Sequence, residues 1–134
     1  MTDPAQPIQA EGAQALPGDP RDIALPSGQV VTLQDVIWNA PGPSGLTLRF
    51  RFIAPAIAET DTGPGVDFDT AAGDMAWLCQ SYALPRLSAL GPKPAQIIIS
   101  LSDRPVLFGE AAPDATQFFE AYSLTDGRCT VELF

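Results

Sequence analysis

The chain has 134 residues, 46% hydrophobic and 17% charged, with 16 acidic residues against 7 basic ones and a net charge of −9. That balance suits one globular domain and argues against partners bound by neutralising phosphates, so nucleic acid and anionic lipid surfaces are not expected partners. Histidine is absent, which removes the usual general base at neutral pH, the commonest metal ligand and the familiar Ser or Cys triads, so any catalysis would need carboxylates, Tyr, Lys93 or a bound cofactor. No metal or cofactor is expected, since no motif for one stands in the chain.

Residues 1–21, MTDPAQPIQAEGAQALPGDPR, are rich in Pro, Ala, Gln and Gly, and their apolar residues follow no period. Such a segment cannot bury enough surface to offset its ordering entropy, so it reads as a flexible arm ahead of a single domain over 22–134. It shows neither the basic stretch nor the apolar core of a secretory leader, and no apolar run in the chain reaches the length of a membrane-crossing helix. Ile23-Ala24-Leu25 and Gln29 to Leu33 read as short strands around the turn Pro26-Ser27-Gly28, and Val36-Ile37-Trp38 continues the extended character. Asn39 to Gly45 is a loop, because its prolines and glycines suit neither ladder nor helix.

Leu46 to Ala54 carries the clearest strand pattern. Leu46, Leu48, Phe50 and Phe52 fall on one face, and Thr47, Arg49 and Arg51 on the other. The first face is core. The second is expected to be solvated, its arginines paired with nearby carboxylates; an anion-binding role for Arg49 and Arg51 is the alternative.

An acidic loop over 59–66 leads into a helix over about 68–90, with Asp67 or Asp69 capping its first turn. Phe68, Ala72, Met75, Cys79 and Tyr82 recur at steps of four and three, beside Leu78, so one stripe faces a sheet. Pro85 lacks a donor and crowds the preceding turn, which predicts a kink or break near Ala83; Gly91-Pro92 ends the helix. Gln96 to Leu101, rich in β-branched residues, is the expected central strand. Ser102 to Pro105 turns the chain, and Val106-Leu107-Phe108 reads as a short strand.

The C-terminus reads as a hairpin closed by Asp126-Gly127, a pair suited to positive φ. This register pairs Leu124 with Cys129, Tyr122 with Val131 and Glu120 with Leu133, and places Phe118, Tyr122, Leu124, Cys129, Val131 and Leu133 on the core face. The expected fold class is α+β: one main helix packed on a mainly antiparallel β-sheet, its stripe under the C-terminal hairpin.

Cys79 on the helix stripe and Cys129 on the inward face of the hairpin could meet in a disulfide; two buried free thiols packed as small hydrophobes are the other reading. Neither belongs to a CxxC pair. Glu59, Asp61, Asp67, Asp69 and Asp74 bring several oxygens close in sequence, but their spacing fails the EF-hand pattern, and capping and solvation explain them more simply. Trp38, Trp77, Phe68 and Tyr82 read as core or rim packing rather than an aromatic slot. Asp103, Arg104 and Glu120 are the candidate ligand-binding residues, since a carboxylate and an arginine near a strand end can hold a small polar ligand. The same residues also make ordinary turns.

Val31 to Val36, Leu48 to Phe52, Ile98 to Pro105 and Thr116 to Glu120 together resemble an uncharacterised family of short bacterial proteins, over roughly 25–134. The resemblance implies an envelope location and a disulfide between Cys79 and Cys129, and it implies no activity. The expected function is a non-enzymatic accessory or protein-binding domain of the cell envelope, its partner another envelope protein. The alternative is a small carboxylate-dependent enzyme or ligand-binding protein using Asp103, Arg104 and Glu120.

Overall fold

Alternation along Thr47–Ile53 (β3) sets the two sides of the molecule: Leu48, Phe50 and Phe52 are buried in the main core, while Thr47, Arg49 and Arg51 point to the opposite face. The computed structural model describes residues 14–38, 46–90 and 93–132. The loop expected over 39–45, the helix stop at Gly91-Pro92 and the place of Leu133 lie outside these residues.

Gln14–Ala24 (β1), Val30–Trp38 (β2), β3, Gln96–Ser102 (β4), Gln117–Thr125 (β5) and Arg128–Val131 (β6) form one six-stranded sheet in chain order. Every pair is antiparallel except β3 with β4, which is parallel. A parallel pair needs a long crossover, and here the helical segment supplies it. β4 is buried along almost its whole length, as expected of the central strand.

The crossover runs through Phe68–Trp77 (α1), a π-helical stretch Leu78–Ala83, a 3-10 turn Leu84–Arg86 and the short Leu87–Leu90 (α2). Asp67 caps α1 by accepting the Thr70 amide at 2.8 Å. The break foreseen at Pro85 takes the form of a change in winding. The Leu84 amide reaches back to the Cys79 carbonyl and the Leu87 amide only to Leu84, so a wide turn and then a tight one accommodate the proline.

Met75, Leu78 and Cys79 are wholly buried, as the stripe requires. Tyr82 presents its ring edge-on to Phe50 at 6.4 Å and Phe52 at 5.5 Å, and Phe68 meets Phe118 likewise at 5.5 Å. The stripe therefore lies over β3, β4 and β5, and Cys79 and Gln80 reach the second strand of the hairpin. That corrects the expectation that the C-terminal hairpin covers it. A crossover helix sits over the strands that it connects, and the hairpin is at the far edge of the sheet.

Two further expectations change. The flexible arm of residues 1–21 gives way at Gln14, because Gln14 to Arg21 belong to β1; residues 1–13 lie outside the described part. β1 buries little, with Leu16 and Ile23 only partly covered, so it carries no apolar alternation to read. Pro17 and Pro20 are tolerated because it is an edge strand, where an absent amide costs no ladder bond and blunts pairing with other chains. Val106 to Phe108 is an irregular segment rather than a strand, pinned to β2 by the Gln34 side chain, whose amide donates to the Val106 carbonyl at 2.8 Å.

Gly18 stands between Pro17, opposite Asp35, and Asp19, opposite Leu33. A Cβ added there would lie 2.2 Å from the carbonyl oxygens of both Leu33 and Gln34. Gly18→Ala must push β1 off β2, and the expected loss is about 1 to 3 kcal/mol in urea unfolding, with amide protection falling first in β1.

The hairpin follows the expected register: Leu124 pairs with Cys129 and Tyr122 with Val131, and Asp126 and Gly127 take φ of 52° and 74°. Cys79 and Cys129 are joined in a disulfide with Cα atoms 6.2 Å apart. Beside it, the Gln80 side chain accepts the Cys129 amide at 3.0 Å. Helix and hairpin edge are thus tied both covalently and through a side-chain amide.

Candidate functional site

Asp103 and Arg104 follow directly on β4 and bind each other: the Arg104 guanidinium donates to both Asp103 carboxylate oxygens, at 2.9 and 3.1 Å. That contact holds the Asp103 carboxyl below the usual carboxylate range. Glu120 is elsewhere. It pairs with Ile99 across β4 and β5, whereas the Asp103 amide bonds the Thr116 carbonyl, four residues away and so roughly 13 Å along an extended chain. The three do not converge, and the two grooves described here are lined by other residues.

The acidic residues over 59–74 likewise disperse into separate tasks. Asp67 caps α1. Asp74 is 1% exposed and accepts the Ser27 amide at 3.0 Å, the Ser27 hydroxyl, and the Gln29 side-chain amide at 2.8 Å. It anchors the β1–β2 turn to α1. Its place at the register of Ala71 and Leu78 on the buried side of the helix is the one sequence signal of that role. Among the described residues no cluster of three or more carboxylates or thiols is arranged to hold a metal ion.

One groove, about 390 Å³, runs between β1 and the end of the helical crossover, over Leu16, Leu33, Val36 and Tyr82. The Arg86 guanidinium carbon stands over the Tyr82 ring, 3.6 Å from its centre, and Arg86 donates to the Tyr82 carbonyl at 2.9 Å. On the opposite rim Asp19 is gripped by Arg21 through both oxygens, which pulls its carboxyl down to about 2. A second, smaller hollow of about 290 Å³ lies by Leu84, Leu87, Lys93 and Leu124.

The richest surface is the sheet face turned away from the helix. The Arg51 guanidinium donates to both oxygens of Asp35 at 2.7 Å and lies 5.4 Å from the centre of the Phe108 ring. Arg51 is only 9% exposed, so the expectation of a solvated arginine face is corrected: the segment 106–108, pinned by Gln34, lies over this part of the sheet. Arg49, one step along β3, reaches toward Phe119, with its guanidinium carbon 5.8 Å from the ring centre. Burial and the neighbouring Arg51 charge both disfavour its protonated form. Phe119 stays 61% exposed beside Arg49, and Leu107, next to Phe108 in the chain, is 66% exposed.

The architecture is that of an α+β domain in which a helical crossover covers one face of a mainly antiparallel sheet and a disulfide fastens the edge; among the described residues no helix is long and apolar enough to cross a membrane. The chain belongs to DUF6497, a family of unknown function whose model matches residues 5–134. No curated protein and no solved structure matches it.

Proposed function

We propose that this chain is a non-enzymatic protein-binding domain of the cell envelope that meets its partner through the sheet face opposite the helix. The observation that supports this reading is an exposed aromatic side chain, Phe119, beside Arg49 on the sheet, with the exposed Leu107 carried by the segment whose Phe108 covers Arg51. Aromatic residues and arginine dominate the energetic centres of protein interfaces, and apolar side chains left in solvent on a fixed scaffold mark such centres. The Cys79–Cys129 bridge supports the compartment, because structural disulfides persist in oxidising surroundings. The separation of Asp103 and Arg104 from Glu120 speaks against a site built on those three residues.

A photo-cross-linking amino acid placed at Phe119 tests this in the native host's envelope fraction, with the same group at Phe68, on the helix side, as the control. A discrete adduct at 119 that is lost at 68 is the expected result. Adducts that are equal at both positions, or absent at 119, overturn the reading.

A further inference from the structure

Arg49 and Arg51 project from the same face of β3, yet among the described residues only Arg51 has a carboxylate. Both oxygens of Asp35 are taken by Arg51. Directly opposite Arg49 stand Ile37 on β2 and Ile98 on β4, which offer no acceptor. Its Nε is buried and meets no hydrogen-bond acceptor among the described residues, although a guanidinium has five N–H donors and no way to shed its charge. The cation most closely felt is Arg51, which adds repulsion. In a chain with 16 acidic residues and 7 basic ones, a half-buried guanidinium without a carboxylate runs against composition.

We infer that Arg49 receives a carboxylate from the binding partner: a single acidic side chain, set beside an apolar residue that covers Phe119. The inference rests on the protein-binding reading above. A carboxylate matches the planar donor fork, and between Ile37, Ile98 and Phe119 it meets the guanidinium away from bulk water, where a charge-assisted bond is strongest. The net charge of −9 repels a strongly acidic segment, so the remainder of the partner surface is neutral or basic. The exposed Phe119 ring beside Arg49 offers packing to an apolar neighbour of the carboxylate, which is why the carboxylate is assigned to a protein segment.

The test uses the full-length, ¹⁵N-labelled chain, following the Arg49 Nε–Hε resonance during titration with acetyl-Leu-Glu-Phe-amide and, separately, acetyl-Leu-Gln-Phe-amide. The glutamate peptide shifts that resonance saturably and binds about tenfold more tightly than the glutamine peptide. Arg49→Gln removes the difference between the two peptides. Phe119→Ala weakens both and keeps the preference, which guards against a fold lost at position 49. Equal binding of the two peptides, or no shift of the Arg49 resonance up to about 20 mM of the glutamate peptide, overturns the inference. If a cross-link forms at position 119 while the peptides bind equally, the carboxylate is refuted and the protein-binding reading stands; if neither occurs, both fall.

Discussion

Replacing both Cys79 and Cys129 by alanine lowers the unfolding free energy by about 4 kcal/mol and the melting temperature by roughly 15 °C, because the bridge closes a chain loop with a sequence separation of 50 and so restricts the unfolded ensemble. That is a large share of the roughly 5 to 15 kcal/mol available to a domain of this size. Alanine is the right replacement, since Cys79 is wholly buried and a serine there would add a buried hydroxyl with no partner. Urea unfolding of the oxidised protein and the double variant measures the difference. The m-value should rise in the variant, as its unfolded chain is less restricted. Local effects precede global ones: β6 spans only Arg128–Val131, so its amides should lose exchange protection first. A loss below about 1 kcal/mol would mean that packing alone fixes the hairpin edge.

The second large effect is expected at Asp74. Asp74→Ala leaves the Ser27 amide, the Ser27 hydroxyl and the Gln29 side-chain amide without their acceptor in a buried place. Unsatisfied donors cost about 1 to 3 kcal/mol each, in part recovered by water or local shifts, so the expected loss is about 3 to 4 kcal/mol. Asp74→Asn keeps the volume and one acceptor oxygen, and about 2 kcal/mol is expected for it. The orientation of the Gln29 amide depends on the same carboxylate: its Nε2 faces Asp74 while its Oε1 is buried without a donor. Chemical denaturation gives the totals, and hydrogen exchange at Ser27 shows whether the turn opens. Should Asp74→Ala cost less than Asp74→Asn, the carboxylate would not be the anchor.

The sequence was most legible where one local rule acted alone. Alternation over Leu48 to Phe52 gave both faces of β3, and Asp126-Gly127 fixed the hairpin register through its demand for positive φ. The helix stripe and the consequence of Pro85 were likewise visible. β1 was hidden because an edge strand needs backbone partners more than apolar residues, and its prolines read as breakers. The parallel pairing of β3 and β4 was hidden because both strands look alike in either direction; only the long helical insertion between them hints at a crossover. Long-range polar contacts left the least trace. Asp74 looked like one more acid in a loop-and-helix cluster, and nothing in the spacing joins it to Ser27, 47 residues away. Arg49 and Arg51 were recognised as neighbours on one face. Their inequality depends on Asp35 and on where Phe108 and Phe119 fall, which spacing does not reveal.

Although neighbouring strands are consecutive in the chain, the sheet's five ladders differ sharply in how far the polypeptide must travel to form them. The four antiparallel ladders close across short or moderate spans, whereas β3 and β4 meet only after everything between Ile53 and Gln96 has been looped out. Closing that long span costs the most chain entropy of the five, and it joins two antiparallel halves of the sheet whose own strands are linked by shorter spans.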